Sequence, residues 1–176
     1  MPVIVDPPTG LAESITLSEG VVVTLRPITP ADAVALVEFH RLLSDRTVFL
    51  RYFYPHRLLG AEEVDHLTQL DGRDRLALVV ECADGLIAVG RYDRSPGCPE
   101  AEVAFVVADA FQHRGLGTLL LQRLARAARL VGISTFSAEV LTENSRMLAL
   151  FHESGFVTSS SVECGTAHLE MALGVA

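Results

Sequence analysis

The stretch "AFQHRGLGTLLLQRLARAARLVG", residues 110–132, limits the choice of folds more than any other part of the chain. Leu116, Leu119, Leu120, Leu124, Ala127, Ala128 and Val131 recur at offsets of three and four, which predicts a long helix with one apolar face. Arg123, Arg126 and Arg129 fall mostly off that face, and Gly132 is a stop signal. Its start is costly. Gly115 and Gly117 each give up about 1 kcal/mol of helix propensity relative to alanine. A helix needed only for the core would be more stable without them. Helix N-termini carry unsatisfied N–H groups and a partial positive charge, so glycines there let an anion approach the backbone.

The flanking pattern predicts one mixed α/β domain. "GVVVTLRPI" (20–28) is β-branched and reads as a strand; "TPADAVALVEFHRLLS" (29–44) reads as a helix with Thr29 as N-cap and Pro30 in its first turn. Residues 45–59 are aromatic, basic and irregular, and 60–70 form a short helix. Strands 76–82 and 86–93 are joined by "ADG", a hairpin signal. Strand 101–108 leads into the glycine helix, strand 135–141 follows, then a helix over 144–155 and a closing hairpin of 156–162 and 167–173. Residues 1–19, with "DPPTG", read as an extended arm before a single domain over 20–176. No internal repeat is present.

Composition narrows the setting. The chain is 49% hydrophobic and 20% charged, as in a globular domain. No apolar run reaches the roughly 18 residues of a membrane span, and the N-terminus does not resemble a secretory signal. Cys82, Cys98 and Cys164 are odd in number and scattered, which predicts reduced thiols, a cytoplasmic setting and no zinc site. None of the six histidines has metal-ligand spacing. The net charge of −8 argues against nucleic acid and suits a cationic partner. All 14 basic residues are arginine, so the protein has no lysine to modify on itself.

Two glycine motifs are excluded. A P-loop needs a lysine, and a dinucleotide fingerprint needs a third glycine where Leu120 stands. What remains is Gln112-x-x-Gly115-x-Gly117 after "EVAFVVAD". It resembles the Gln/Arg-x-x-Gly-x-Gly/Ala motif of the GNAT superfamily of acyl-CoA N-acyltransferases. The segment "EVLTENSRMLALFHESGF" (139–156) strengthens the resemblance. "LSDRTVFLRYFYPH", "RDRLALVV" and "GRYDR" are similar to the catalytic domain of bacterial protein lysine acetyltransferases. The resemblance covers roughly 20–173. It implies a central, mostly antiparallel mixed sheet of about seven strands, flanked by about four helices, with the fourth and fifth strands splayed. Relatives of that group often carry a fused regulatory domain; with about 19 residues before the first strand, none is expected in this sequence.

The resemblance also implies a site. Backbone N–H groups of Gln112, His113, Arg114, Gly115, Leu116, Gly117 and Thr118 would cradle the pyrophosphate of acetyl-CoA, with Arg114 adding positive charge. The pantetheine arm would pair with Phe105, Val106 and Val107, and an N–H at Val106 or Val107 would hold the oxyanion. Asn144 would touch the same arm, although N-capping a helix explains an asparagine there equally well.

Acyl transfer to an amine needs a base, because an amine with a pKa of about 10.4 is almost wholly protonated at pH 7. Strand alternation places Glu102 with Ala104 and Val106 on one face. A carboxylate beside apolar neighbours at a cleft gains basicity, and a glutamate at this strand position is the base in the resembling enzymes. Glu100 and Glu139 are alternatives. Many relatives have a tyrosine acid where Phe151 stands here; a thiol with a pKa near 8.5 leaves readily without one, and Ser145 or water could replace it. Tyr52 and Tyr54 precede the second expected helix, at the acceptor entrance, and could face a cationic amine. They could equally anchor a loop.

Three functions stay open: acetylation of a protein lysine, with an acyl-CoA synthetase as one such target; acetylation of a small-molecule amine; and acyl-CoA binding without turnover. No membrane partner and no metal are expected. A homodimer is left open.

Overall fold

The computed structural model describes residues 10–18 and 20–174. Eight strands form one sheet in the order β1-β2-β3-β4-β5-β6-β8-β7. They are β1 (Glu13–Thr16), β2 (Val22–Pro27), β3 (Arg75–Cys82), β4 (Gly85–Asp93), β5 (Glu100–Val107), β6 (Thr135–Leu141), β7 (Val157–Glu163) and β8 (Thr166–Ala172). Every neighbouring pair is antiparallel except β5 and β6. A parallel pair needs a crossover, and the glycine helix provides it. Five helices complete the fold: α1 (Ala33–Leu42), α2 (Asp45–Tyr52), α3 (Ala61–Thr68), α4 (Leu116–Leu130) and α5 (Ser145–Glu153).

Alternation along the strands divides the core in two. Val103 and Phe105 of β5 join Leu116, Leu120, Leu121, Leu124, Ala127 and Ala128 of α4 in the larger cluster. On the other face, Ala77, Val79 and Val89 meet Leu36 and Phe39 of α1 and Val48 of α2. The buried stripe of α4 is wider than the sequence spacing implies, because Leu121 and Ala125 are buried too, while Leu119 and Val131 are only half-buried.

Two elements differ from expectation. Residues 13–16, expected within an arm, pair with β2 and add an eighth strand, anchored by buried Leu11 and Leu17 and by the Arg123–Glu13 ion pair to α4. Residues 1–9 and 19 of that arm lie outside the described residues. The segment after Ser44, expected to be irregular, opens with α2. The Ser44 hydroxyl accepts from Thr47 N–H at 3.2 Å as N-cap, and Val48 is buried. The helix expected from Thr29 begins as a short 3-10 turn, Pro30–Asp32, in which the Asp32 carboxylate accepts from Thr29 N–H at 2.7 Å.

Candidate active site

Strands β5 and β6 pair only at Glu100–Thr135, Ala101–Phe136 and Glu102–Ser137. Beyond Glu102 they diverge, and a cleft of about 790 Å³ opens between them. Its walls are β5 from Glu102 to Val107, β6 at Glu139 and Val140, both ends of α2, the first turn of α4, and α5 from Ser145 to Phe151.

Backbone direction on β5 follows from one hydrogen bond. Ala108 N–H donates to Ile87 O on the β4 side, at 2.8 Å. Antiparallel alternation then turns Val106 and Ala104 toward β4, and Val107 and Phe105 into the splay. Gln112 supports this placement, since its Nε2 donates to Val107 O at 3.2 Å from the open side. Of the two expected oxyanion donors, the Val107 N–H points into the splay and the Val106 N–H points toward β4.

At the cleft floor, His113 and Gly115 both have positive φ, 66° and 79°, on either side of Arg114. Turns of this kind bring successive N–H groups to one side and make anion-binding concavities. Gly115 N-caps α4 with no capping side chain, so the N–H groups of the first turn face the cleft at Gly115, Leu116, Gly117 and Thr118. Gly117 has a second role: a Cβ there would collide with Leu150 of α5. The steric reason for this glycine is helix packing as well as open space.

The Gln112 side chain ties the floor together. It donates to Thr47 Oγ1 at 3.2 Å, and its Oε1 accepts from Arg146 Nη1 at 3.2 Å. Asp109 accepts from Ser44 N–H, Ser44 Oγ and Thr47 Oγ1 at 3.0, 2.6 and 2.7 Å. Burial works against this carboxylate, but the Ser44 and Thr47 donors outweigh it and hold it below the usual range. Across the mouth, Arg46 of α2 meets Glu143, just before α5, at 3.0 Å.

Among the expected site residues, Glu102, Phe105, Val106, Val107, Gln112, His113, Gly115, Leu116, Gly117, Thr118, Asn144 and Tyr52 line the cleft. Arg114 and Tyr54 do not; the Arg114 guanidinium lies over Phe111 at 5.0 Å. Asn144 caps α5, its Oδ1 accepting from Met147 N–H at 3.2 Å, and reaches the cleft as well. Glu102 is exposed, so the apolar enclosure expected around it is absent. Glu100 sits below the splay, opposite Thr135. Glu139 lines the cleft but lies 3.2 Å from His168 Nδ1. Phe151 is buried against Phe105, ring centroids 5.8 Å apart. Sequence reasoning missed Arg46, Arg51, Glu143 and Arg146. Only the S-D-R-T capping pattern of α2 could have placed the first two.

The acetyltransferase (GNAT) domain model matches residues 23–157. The chain belongs to the GNAT acetyltransferase family. This GNAT domain is 34% identical over 136 residues to acetyltransferase Pat of Mycolicibacterium smegmatis, covering 76% of this chain and 40% of that protein. The chain thus spans less than half the length of this curated relative. The GNAT domain of PAT from S. lividans is 36% identical and superposes with a TM-score of 0.87, covering 94% of this chain and 98% of that one. The structure of yncA from Salmonella typhimurium, solved with acetyl-CoA, shares the fold at a TM-score of 0.70 and 22% identity, over 86% of this chain and 94% of that one. The splay between β5 and β6, beside the glycine start of α4, is thus set in an acyltransferase domain. Among the described residues no helix is long and apolar enough to cross a membrane.

Proposed function

We propose that this domain transfers an acetyl group from acetyl-CoA directly to a lysine side chain of a protein. The observation that carries this reading is the opening of β5 away from β6 just past Glu102, with backbone groups of Phe105 and Val107 turned into the gap. An extended pantetheine arm can pair there as a strand would. Its phosphates then reach the positive-φ turn and the start of α4. The 36% identity with the S. lividans PAT domain over nearly the whole chain supports the acyltransferase part of this reading. Net charge of −8 suits a cationic protein surface. Three free cysteines fit a cytoplasmic setting.

Lysine arrives protonated and only its neutral form attacks. Glu102, at the vertex of the splay, takes the proton directly or through one water. The amine nitrogen bonds to the thioester carbonyl carbon. The oxyanion accepts from Val107 N–H. The nitrogen of the tetrahedral adduct gives up its second proton to solvent or to the departing sulfur; collapse breaks the C–S bond, and the sulfur leaves as thiolate or thiol with no proton from Phe151.

Calorimetric titration with acetyl-CoA, followed by thiol release with a lysine-containing acyl-CoA synthetase and a panel of small amines, tests this reading. Binding with release on the protein supports it. Release only on a small amine moves the function to metabolite acetylation. Binding without release on anything favours a regulatory module, and no binding removes the cofactor assignment.

A further inference from the structure

Arg91 of β4 lies between Ala77 of β3 and Ala104 of β5. Two small neighbours flank it, and Arg91 and Ala104 line a cavity of about 40 Å³. Arg51, Tyr52, Ala104 and Val106 wall both this cavity and the main cleft. The cavity therefore adjoins the acceptor side of the site, on the sheet face that carries Glu102.

Charge in this corner is unbalanced. Among the described residues the only hydrogen bond of Arg91 is a long one, from Nη2 to Leu67 O at 3.4 Å. Arg51 lies over the Tyr52 ring at 5.0 Å and makes no ion pair among the described residues. The nearby acids are taken: Asp93 is held by Arg75 at 2.8 Å and Glu63 by His56 at 2.9 Å. Burial, reinforced by the Arg51 charge, pushes the Arg91 guanidinium down to about 10, which still leaves it a cation at neutral pH. Burial also pushes the Tyr52 hydroxyl up, so it stays a protonated donor. Arg91, Arg51 and Tyr52 thus line a small space with no acid in its walls. A carboxylate matches the guanidinium fork with two oxygens and fits a space of this size.

We propose that Arg91, with Arg51 and Tyr52, forms a subsite for a carboxylate carried by the acceptor. The proposal rests on the acyl-transfer reading of the cleft. Two sources share the chemistry: an acidic side chain beside the target lysine in a protein, or the carboxylate of a free amino acid.

Rates with two matched pairs of acceptors distinguish the sources. The first pair is a peptide whose lysine is flanked by glutamate and the same peptide with glutamine. The second is an ω-amino acid and the alkylamine of equal length. The subsite predicts a preference of about tenfold in kcat/KM for the carboxylate member of one pair, and Arg91→Met should bring that ratio near one. No preference in either pair, or a preference that survives Arg91→Met, overturns the proposal. Arg91→Met should keep or raise Tm, because a buried cation without an anion costs stability; if it fails to fold, Arg51→Met serves in its place. An activity-independent readout is titration with acetate, followed at the arginine Nε–H resonances. A saturable shift at Arg91, lost in the variant, upholds the subsite even if no acceptor turns over, in which case only the transfer reading falls. Turnover with no such shift overturns the subsite alone.

Discussion

Gly117 of α4 and Leu150 of α5 occupy adjoining space so closely that a Cβ on the glycine would strike the leucine Cδ1. Both line the cleft. The packing of the two helices and the shape of the cleft floor are therefore one constraint. Gly117→Ala sets two effects against each other. Alanine gains about 1 kcal/mol of helix propensity, while overpacking costs about 1–3 kcal/mol. The atom in the way is the mobile end of a side chain, so the net loss should be about 1 kcal/mol. Leu150→Ala in the same chain removes the clash, so urea unfolding of the double variant should lose less than the sum of the singles. Strict additivity would mean the two residues do not touch.

Glu102→Gln should lower turnover by roughly 10²–10⁴-fold, the usual contribution of a positioned base. Acetyl-CoA affinity, measured by calorimetry, should stay within about twofold, because Glu102 sits at the vertex of the splay and away from the glycine turn. Glu139→Gln is the control, since Glu139 already lies beside His168. If Glu139→Gln carries the loss and Glu102→Gln does not, the base lies on β6.

What the sequence disclosed and what it hid follow from how each element is stabilised. Helix α4 was legible because its apolar period continues for four turns, and its odd glycines pointed to the site. The hairpin of β3 and β4 was legible from its turn residues. Strand β1 is four residues, "ESIT", whose order comes from pairing with β2, a partner that local sequence does not announce. Helix α2 contains Thr47 and Val48, poor helix formers, and holds through the Ser44 cap and the docking of Val48. Glu102 was found by alternation, yet its exposure depends on the strand that leaves it, β6. The arginines were least legible. All 14 look alike in sequence, and only the fold sets Arg46 at the cleft mouth and Arg91 beneath its acceptor wall.

The Arg46–Glu143 pair should make acetyl-CoA binding depend on which anion Arg46 meets. Both side chains are more than half or about half exposed, 57% and 50%, and such pairs are weak and screened by salt. A phosphate is a stronger partner for a guanidinium than a single carboxylate contact. Glu143→Gln should therefore tighten acetyl-CoA binding by about two- to fivefold at low salt, and Arg46→Ala should weaken it by about three- to tenfold. Calorimetry at two ionic strengths checks both, since the effects should shrink as salt rises. Equal affinity in all three proteins would remove Arg46 from the binding surface.

The acid side of the stability curve should report on Asp32. Its carboxylate is nearly buried, is held by Arg26 at 2.7 Å, and accepts from Thr29 N–H and Oγ1. Arg26, which also bonds Glu81, is the main cause that holds Asp32 well below the usual carboxylate range; burial opposes it, and the Thr29 donors add to it. A depressed folded value means that the unfolded chain takes up the proton first as pH falls. The contribution is therefore complete above the ordinary aspartate value of about 3.9 and fades as pH drops through the lower folded value. Asp32→Asn should cost about 1–3 kcal/mol at pH 7, because it leaves Arg26 with one carboxylate fewer at the junction of β2 and α1. The gap between wild type and variant, read from urea midpoints, should narrow below about pH 4. A gap that stays constant down to the acid transition would mean that Asp32 is not charged in the folded protein, and that the Arg26 pairing does not stabilise the start of α1.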